Sequence, residues 1–176
     1  RIGAENDGWS VAKHLLKHER GGGGGASPAL MRYCERARAA AAQTPSPFGG
    51  MLLDDPVFQR EMGELEADIA SLGHFEKLAI SGHALARDPA FPSINKTINS
   101  ELIQRASTLM MQVSGTDSLA RQLEALRVGS NVEPLGSEFD LVSMPLYLNS
   151  RATTIYAGSN EVQRDLIARS LAAAGA

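Results

Sequence analysis

Apolar positions recur along most of this chain at helical spacing, and nowhere do they alternate convincingly in the two-residue rhythm of a strand. Asn6 or Asp7 can cap a first helix whose apolar set is Trp9, Ala12, Leu15 and Leu16. That helix meets the run Gly21 to Gly25, after which the helical pattern resumes at Ala29 and continues to about Gln43. Each glycine costs a helix about 1 kcal/mol against alanine. The run therefore either breaks the helix or sits inside one long helix held by packing, and we read one long helix.

Thr44-Pro-Ser-Pro-Phe-Gly-Gly is a turn by composition. Asp55-Pro56 reads as the N-cap and first position of a second helix. Its stripe of Leu65, Ile69, Leu72, Phe75, Glu76 and Ala79 continues to about Arg87. Asp88-Pro-Ala-Phe-Pro ends it, and Ser93 can cap a third helix to about Ser114, with Ile94, Ile98, Leu102, Ala106 and Leu109 on one face. Gly115 to about Ser143 is the least regular segment, with a short helix expected near Ser118 to Leu126 and a long loop beyond. A final helix starts near Ser159 or Asn160, where Gln163 three residues on suits a capping box. Three long amphipathic helices and a shorter fourth predict an all-α fold, an antiparallel four-helix up-down bundle.

Composition narrows the possible roles. Of the 176 residues, 43% are hydrophobic but only 5% are aromatic, so the core must rest on Leu, Ile, Val, Ala and Met. A net charge of −3 and scattered basic residues give no reason to expect nucleic acid or an anionic membrane surface. No apolar stretch approaches the roughly 20 residues needed to span a bilayer, and no signal peptide is evident. The single cysteine, Cys34, stands in an apolar context and fits a reducing, cytoplasmic setting. His14 and His18 have metal-motif spacing, but without a partner cluster no metal site is expected. The chain opens in mid-phrase at Arg1, as a domain of a longer protein would.

Tyr156-Ala-Gly-Ser-Asn-Glu-Val-Gln-Arg is a loop entering a helix. Gly158 permits unusual backbone angles and close approach of another molecule. The N–H groups that follow Ser159 offer an anion site, although an ordinary glycine turn would read the same way.

Ser150 to Arg169, with Ile155-Tyr-Ala-Gly-Ser-Asn-Glu-Val-Gln-Arg at its centre, resembles the C-terminal signature of the acyl-CoA dehydrogenases. Gly3-Ala-Glu-Asn-Asp-Gly-Trp-Ser-Val-Ala-Lys, followed by Glu19-Arg20, is similar to the close of that family's middle β-domain and the opening of its first C-terminal helix. The resemblance implies that residues 1–7 end a preceding β-domain and that 8–176 form the C-terminal helical domain. It implies FAD as cofactor and an acyl-CoA as substrate. It also implies a homodimer or dimer of dimers, possibly heteromeric, and an electron-transfer flavoprotein as acceptor.

The family reaction removes an α-proton from the thioester while the β-hydrogen leaves as hydride to the flavin. That chemistry needs a carboxylate in a dry pocket. Many members carry it directly after the signature tyrosine, where this chain has Ala157. A minority place it on the first C-terminal helix, and Glu19 matches that position, with Arg20 beside it and near the substrate. By its residue type alone, Glu19 reads as a solvated helix residue or one paired with a neighbour such as Lys13; only the resemblance makes it a base.

The resemblance further implies that Tyr156 and Gly158 border the thioester and that Ser159, Asn160 and Glu161 contact FAD. Gln112 and Gly115 resemble the family's Gln-x-x-Gly-Gly element at a neighbouring subunit's FAD, with Thr116 in place of the second glycine. Phe48 and Gly49 keep part of an Arg-x-x-Phe-Gly element whose arginine position is Pro45, and Asp55-Pro56 replaces a His-Gln pair. Cross-subunit flavin contacts are therefore expected to be rearranged. The glycine run after Glu19-Arg20 would leave volume for a bulky or branched acyl group, or serve tight packing. The alternative role is a non-catalytic helical partner that lacks any base.

Overall fold

The computed structural model describes residues 2–21 and 25–174; the side chains of 16–21 and 174 lie outside that description. Among the described residues the chain is helical: α1 Gly8–Gly21, α2 Ala26–Ala41, α3 Pro56–Ile80, α4 Phe91–Ser114, α5 Glu138–Ser150 and α6 Asn160–Ala174. Short 3₁₀ turns lie between several of them.

Cross-helix pairs fix the relative directions. Glu76 of α3 bonds Ala26 and Ser27 at the start of α2, whereas Glu66 bonds Arg38 further along it. The two helices are therefore antiparallel. Phe75 stacks on Phe91 with ring centroids 3.9 Å apart, and Asp68 pairs with Arg105, so α3 and α4 are antiparallel too. Ser114 bonds Ser143 and Ser107 bonds Ser150, which sets α5 against α4 in the same sense. α6 also runs opposite to α4, through Ser100 with Asn160 and Asp88 with Ser170. α4 is the central element and touches every other helix.

The apolar core comprises Leu30, Cys34 and Ala37 of α2, Met62, Ile69 and Leu72 of α3, Leu102, Leu109 and Val113 of α4, and Phe139 of α5. The fourth member of the core is thus α5, within and beyond a segment that composition marks as irregular. Its start is fixed by a capping box in which the Ser137 hydroxyl accepts from the Asp140 N–H while Asp140 accepts from the Ser137 N–H.

Several predicted boundaries move. The glycine run does not sit inside one long helix: Gly25 adopts φ +117°, open to glycine but not to ordinary helical backbone, and α2 begins after it. Gly22 to Gly24 lie outside the described residues. α3 stops at Ile80 rather than Arg87, because Gly82 turns left-handed at φ +68° and the His83 N–H closes on the Leu78 carbonyl. α4 starts at Phe91, two residues before Ser93, with Pro92 in its first turn and Asp88 accepting from the Ala90 N–H. The expected helix over Ser118 to Leu126 is a 3₁₀ turn over Gly115–Leu119 followed by a separate turn in which the Leu126 N–H reaches the Gln122 carbonyl. Of the apolar set of α1, Trp9 is 70% exposed and Leu15 is also exposed, Ala12 is half-buried, and the Leu16 side chain lies outside the described residues.

Candidate functional site

The signature segment is built on a polar seam between α4 and the end of α5. Arg151 opens the 3₁₀ turn Arg151–Thr154. Its Nε donates to the Tyr147 carbonyl at 3.1 Å, and its Nη2 donates to the Gln104 carbonyl at 3.0 Å and the Ser107 hydroxyl at 2.9 Å. The guanidinium also lies over the Tyr147 ring, 4.3 Å from its centroid. Gln104 answers from α4, its Nε2 donating to the Ser150 and Arg151 carbonyls and to Thr154 Oγ1. Buried Thr153 donates to the Ser150 carbonyl.

From this base the chain rises into an exposed turn. The N–H groups of Ile155 and Tyr156 both return to the Ala152 carbonyl, and both side chains are exposed. Ala157 then has φ +55° and Gly158 φ +85°, two consecutive left-handed residues. For alanine that region costs about 1–2 kcal/mol, so the surroundings must hold it there.

α6 starts at Asn160, which is only 2% exposed. Its Oδ1 accepts from Lys96 Nζ at 2.7 Å and from the Ser100 hydroxyl at 3.0 Å. Fully buried Gln163 donates from Nε2 to the Gly158 carbonyl at 3.2 Å, which replaces the capping box expected between Asn160 and Gln163. The exposed carboxyl of Glu161 is held below its ordinary range by its own backbone N–H first and by the Ser159 hydroxyl, with Arg164 and Lys96 adding attraction.

The residues singled out from the sequence fall into two groups. Tyr156, Gly158, Ser159, Asn160 and Glu161 are contiguous and sit against the first half of α4. Phe48, Gln112 and Gly115 lie toward the opposite end of the bundle. Phe48 crowns a hairpin in which Ser46 N–H reaches the Gly50 carbonyl and Leu52 N–H the Thr44 carbonyl, and it is 89% exposed. Gln112 lines a groove of about 480 Å³ between α3 and α4, together with Glu61, Gln104, Arg105 and Arg151. Gly115 ends α4 at φ +58°.

The backbone of Glu19 and Arg20 is in the last turn of α1, but their side chains, like that of His18, lie outside the described residues. Connectivity alone keeps Gly21 within about 18 Å of Ala26. The end of α1 therefore belongs to the Ala26 and Phe91 end of the bundle rather than to the Phe48 end. Lys96, Ser100 and Gln104 of α4 support the turn together with Arg151 of the signature, and the three α4 residues carry no sequence signal because their partners are 46 to 64 residues away.

The turn supplies an exposed tyrosine ring, a glycine without a Cβ at Gly158, and a carboxylate at Glu161 able to accept from hydroxyl or N–H groups. Among the described residues no cluster of three or more His, Cys, Asp or Glu could hold a metal ion, and no helix is long and apolar enough to cross a membrane.

Residues 6–172 match the family model described as acyl-CoA dehydrogenase, C-terminal domain. The acyl-CoA dehydrogenase IpdE1 of Mycobacterium tuberculosis is 28% identical over 95% of this chain and 38% of its own length. Acyl-CoA dehydrogenase FadE26 of the same organism is 30% identical over 95% of this chain and 40% of its own. The chain thus spans about two fifths of these relatives. Among solved structures, the ChsE4–ChsE5 complex from Mycobacterium tuberculosis superposes with a TM-score of 0.74 at 27% identity, covering 97% of this chain and 42% of that one. An electron transferring flavoprotein structure from Acidaminococcus fermentans shares the fold, with a TM-score of 0.65 at 20% identity over 96% of this chain and 40% of that one.

Proposed function

The chain belongs to the acyl-CoA dehydrogenase family, of which it carries the C-terminal domain, and from that premise we propose that it acts in the FAD-dependent α,β-dehydrogenation of an acyl-CoA thioester. In this reading residues 8–176 are the helical domain, residues 1–7 close a β-domain, and the flavin-binding domains are supplied with it. The observation that carries the reading is the turn from Tyr156 to Ser159, whose two left-handed residues end on a Gly158 carbonyl held by Gln163 and lead into Asn160, which Lys96 ties to α4. A turn so fixed presents its backbone and the Tyr156 ring to a ligand with little reorganisation.

FAD, when bound, supplies the hydride acceptor. Tyr156 and Gly158 border the thioester, while Ser159 and Glu161 meet the flavin edge. Ala157 can neither take nor hold a proton, so the α-proton passes to Glu19, a carboxylate that desolvation in a closed site would make more basic. Arg20 stands beside it toward the acyl-CoA. Phe48, Gln112 and Gly115 face a neighbouring subunit in a dimer or dimer of dimers, and an electron-transfer flavoprotein takes the electrons onward.

One observation favours a second reading, a helical partner without a base in a heteromeric enzyme: Ala157 occupies the place where many members carry the carboxylate. Assembling the chain with its flavin-binding domains, on one polypeptide or two, and following acyl-CoA-dependent bleaching of bound flavin separates the two. Bleaching that depends on this chain's Glu19 supports the enzyme; bleaching indifferent to it supports the partner.

A further inference from the structure

We propose that Asn160, supported by Lys96 and Ser100 and assisted by Gln163, is a positioning residue that fixes the left-handed Ala157–Gly158 turn, and does not contact the cofactor through its side chain. The inference deepens the functional reading above and rests on it for the meaning of the turn.

The side chain of Asn160 faces away from the surface that the turn presents. It is 2% exposed, and its Oδ1 is engaged twice from α4, by the Lys96 ammonium and the Ser100 hydroxyl. An amide oxygen accepts two such bonds with its two lone pairs, so a cofactor would find that oxygen filled. Gln163, one turn further on the same face, holds the Gly158 carbonyl by Nε2 while its own N–H closes on the Ser159 carbonyl. The left-handed pair is thereby gripped on its C-terminal side, while before it the Tyr156 N–H closes on the Ala152 carbonyl.

The composition of the interface points the same way. α6 turns the polar Asn160 and Gln163 inward in its first turn, ahead of the half-buried Leu166 and Ile167, and leaves Val162 and Leu171 exposed. Apolar packing would tolerate sliding or rotation of α6 against α4; a hydrogen-bonded amide with two fixed donors does not. Losing that register would turn the Gly158 and Ser159 amides, and a misplacement of about 1 Å at a reacting centre costs on the order of a hundredfold in rate.

Asn160→Ala, Asn160→Asp and Lys96→Met test this. In the chain itself, NMR reads the three-bond HN–Hα coupling of Ala157 and amide exchange at Tyr156 and Gln163, the bonded amides that flank the turn. Asn160→Ala and Lys96→Met should raise exchange at the turn about tenfold or more, while core amides such as those of Met62 and Leu109 stay within about twofold. Asn160→Asp, which keeps an acceptor for both donors, should preserve the turn. In the assembled flavoprotein, Asn160→Ala should lower kcat about tenfold or more with flavin content unchanged, and Asn160→Asp should recover most of it. Turn amides that stay protected in Asn160→Ala and Lys96→Met overturn the inference, as does a parallel rise at the core amides. Should Asn160→Ala fail to fold, Lys96→Met decides the same question. An assembled wild-type protein that leaves acyl-CoA unoxidised would defeat the functional reading while the NMR result stands. An active wild type with an unaltered turn in the variants would defeat only the positioning role.

Discussion

Glu76, deep in α3, closes the start of α2 by accepting from the hydroxyl of Ser27 at 2.6 Å, from the Ser27 N–H at 3.3 Å and from the Ala26 N–H at 3.0 Å. α2 has no cap of its own, since Gly25 offers no side chain. A carboxylate from 50 residues away performs that task and matches the positive end of the helix. The fit is close: a Cβ at Gly73, one turn before Glu76, would lie 3.0 Å from Ser27 Oγ. The end of the glycine run is therefore a built boundary between α1 and α2.

Replacing Glu76 with alanine leaves those half-buried donors unpaired. The loss should be about 2–3 kcal/mol, which for a chain of this size lowers the thermal midpoint by about 2–4 °C per kcal/mol. Glu76→Gln keeps one acceptor oxygen and should lose about 1 kcal/mol. A double-mutant cycle with Ser27→Ala should show a coupling of about 1 kcal/mol or more. Additive losses would mean that the Ser27 hydroxyl contributes nothing to the cap.

Asp140 at the start of α5 gives a pH-dependent counterpart. Burial works to raise its pKa, but the Ser137 N–H and the hydroxyls of Ser137 and Ser114 outweigh it and hold the carboxyl below its ordinary 3.8. A depressed folded-state pKa contributes stability that is present above the unfolded value and is lost as the pH falls through the folded one. Denaturant midpoints should therefore decline below about pH 4. Asp140→Asn should cost about 1 kcal/mol at neutral pH and flatten that acid limb. An unchanged acid limb would show that other carboxylates set it.

How far the sequence disclosed this arrangement follows from the range of each interaction. The stripe from Leu65 to Leu72 predicts α3 because its partners repeat every turn, and the signature turn is legible because its residues are contiguous. The end of α3 has a single local sign, Gly82, and helical spacing read past it places the end near Arg87 instead. α5 was hidden by the punctuation of Gly129, Pro134 and Gly136, and by Pro145 inside the helix itself. Its capping box uses Asp140 where glutamate or glutamine is the usual sign. The break at Gly25 depends on Glu76, and the fixing of Asn160 depends on Lys96. Such long-range pairs leave no periodic trace.

Cys34 is buried against α3, and desolvation, with Glu66 adding to it, pushes its thiol up from 9.0 to about 11. Two units fewer of ionisation mean about a hundredfold less thiolate at a given neutral pH. Native protein at pH 8 should resist alkylation by iodoacetamide for hours, and the same protein in urea should react within minutes. Because the folded pKa is raised, the stability linked to this thiol is complete below pH 9 and is lost as the pH rises toward 11. Cys34→Ala should remove that alkaline decline. Fast native alkylation at pH 8 would show that the α2–α3 contact opens locally.

The assignment of the proton acceptor makes the sharpest demand on the assembled enzyme. If Glu19 takes the α-proton, Glu19→Gln should lower kcat by about 10²–10⁴-fold while flavin binding is unchanged, the range expected for loss of a general base. Ala157→Glu in the same background restores a carboxylate at the position used by many family members and should recover part of the lost rate. Recovery stays partial because a glutamate held at φ +55° costs about 1–2 kcal/mol. In the wild-type background, Ala157→Glu would set two carboxylates on one carbon, so one pKa rises and the pH–rate profile shifts to higher pH. Glu19→Gln with undiminished turnover would remove Glu19 from the mechanism. A Glu19→Gln protein that Ala157→Glu does not rescue, despite an intact flavin spectrum, would instead show that the turn and the α1 carboxylate do not face the same substrate atom.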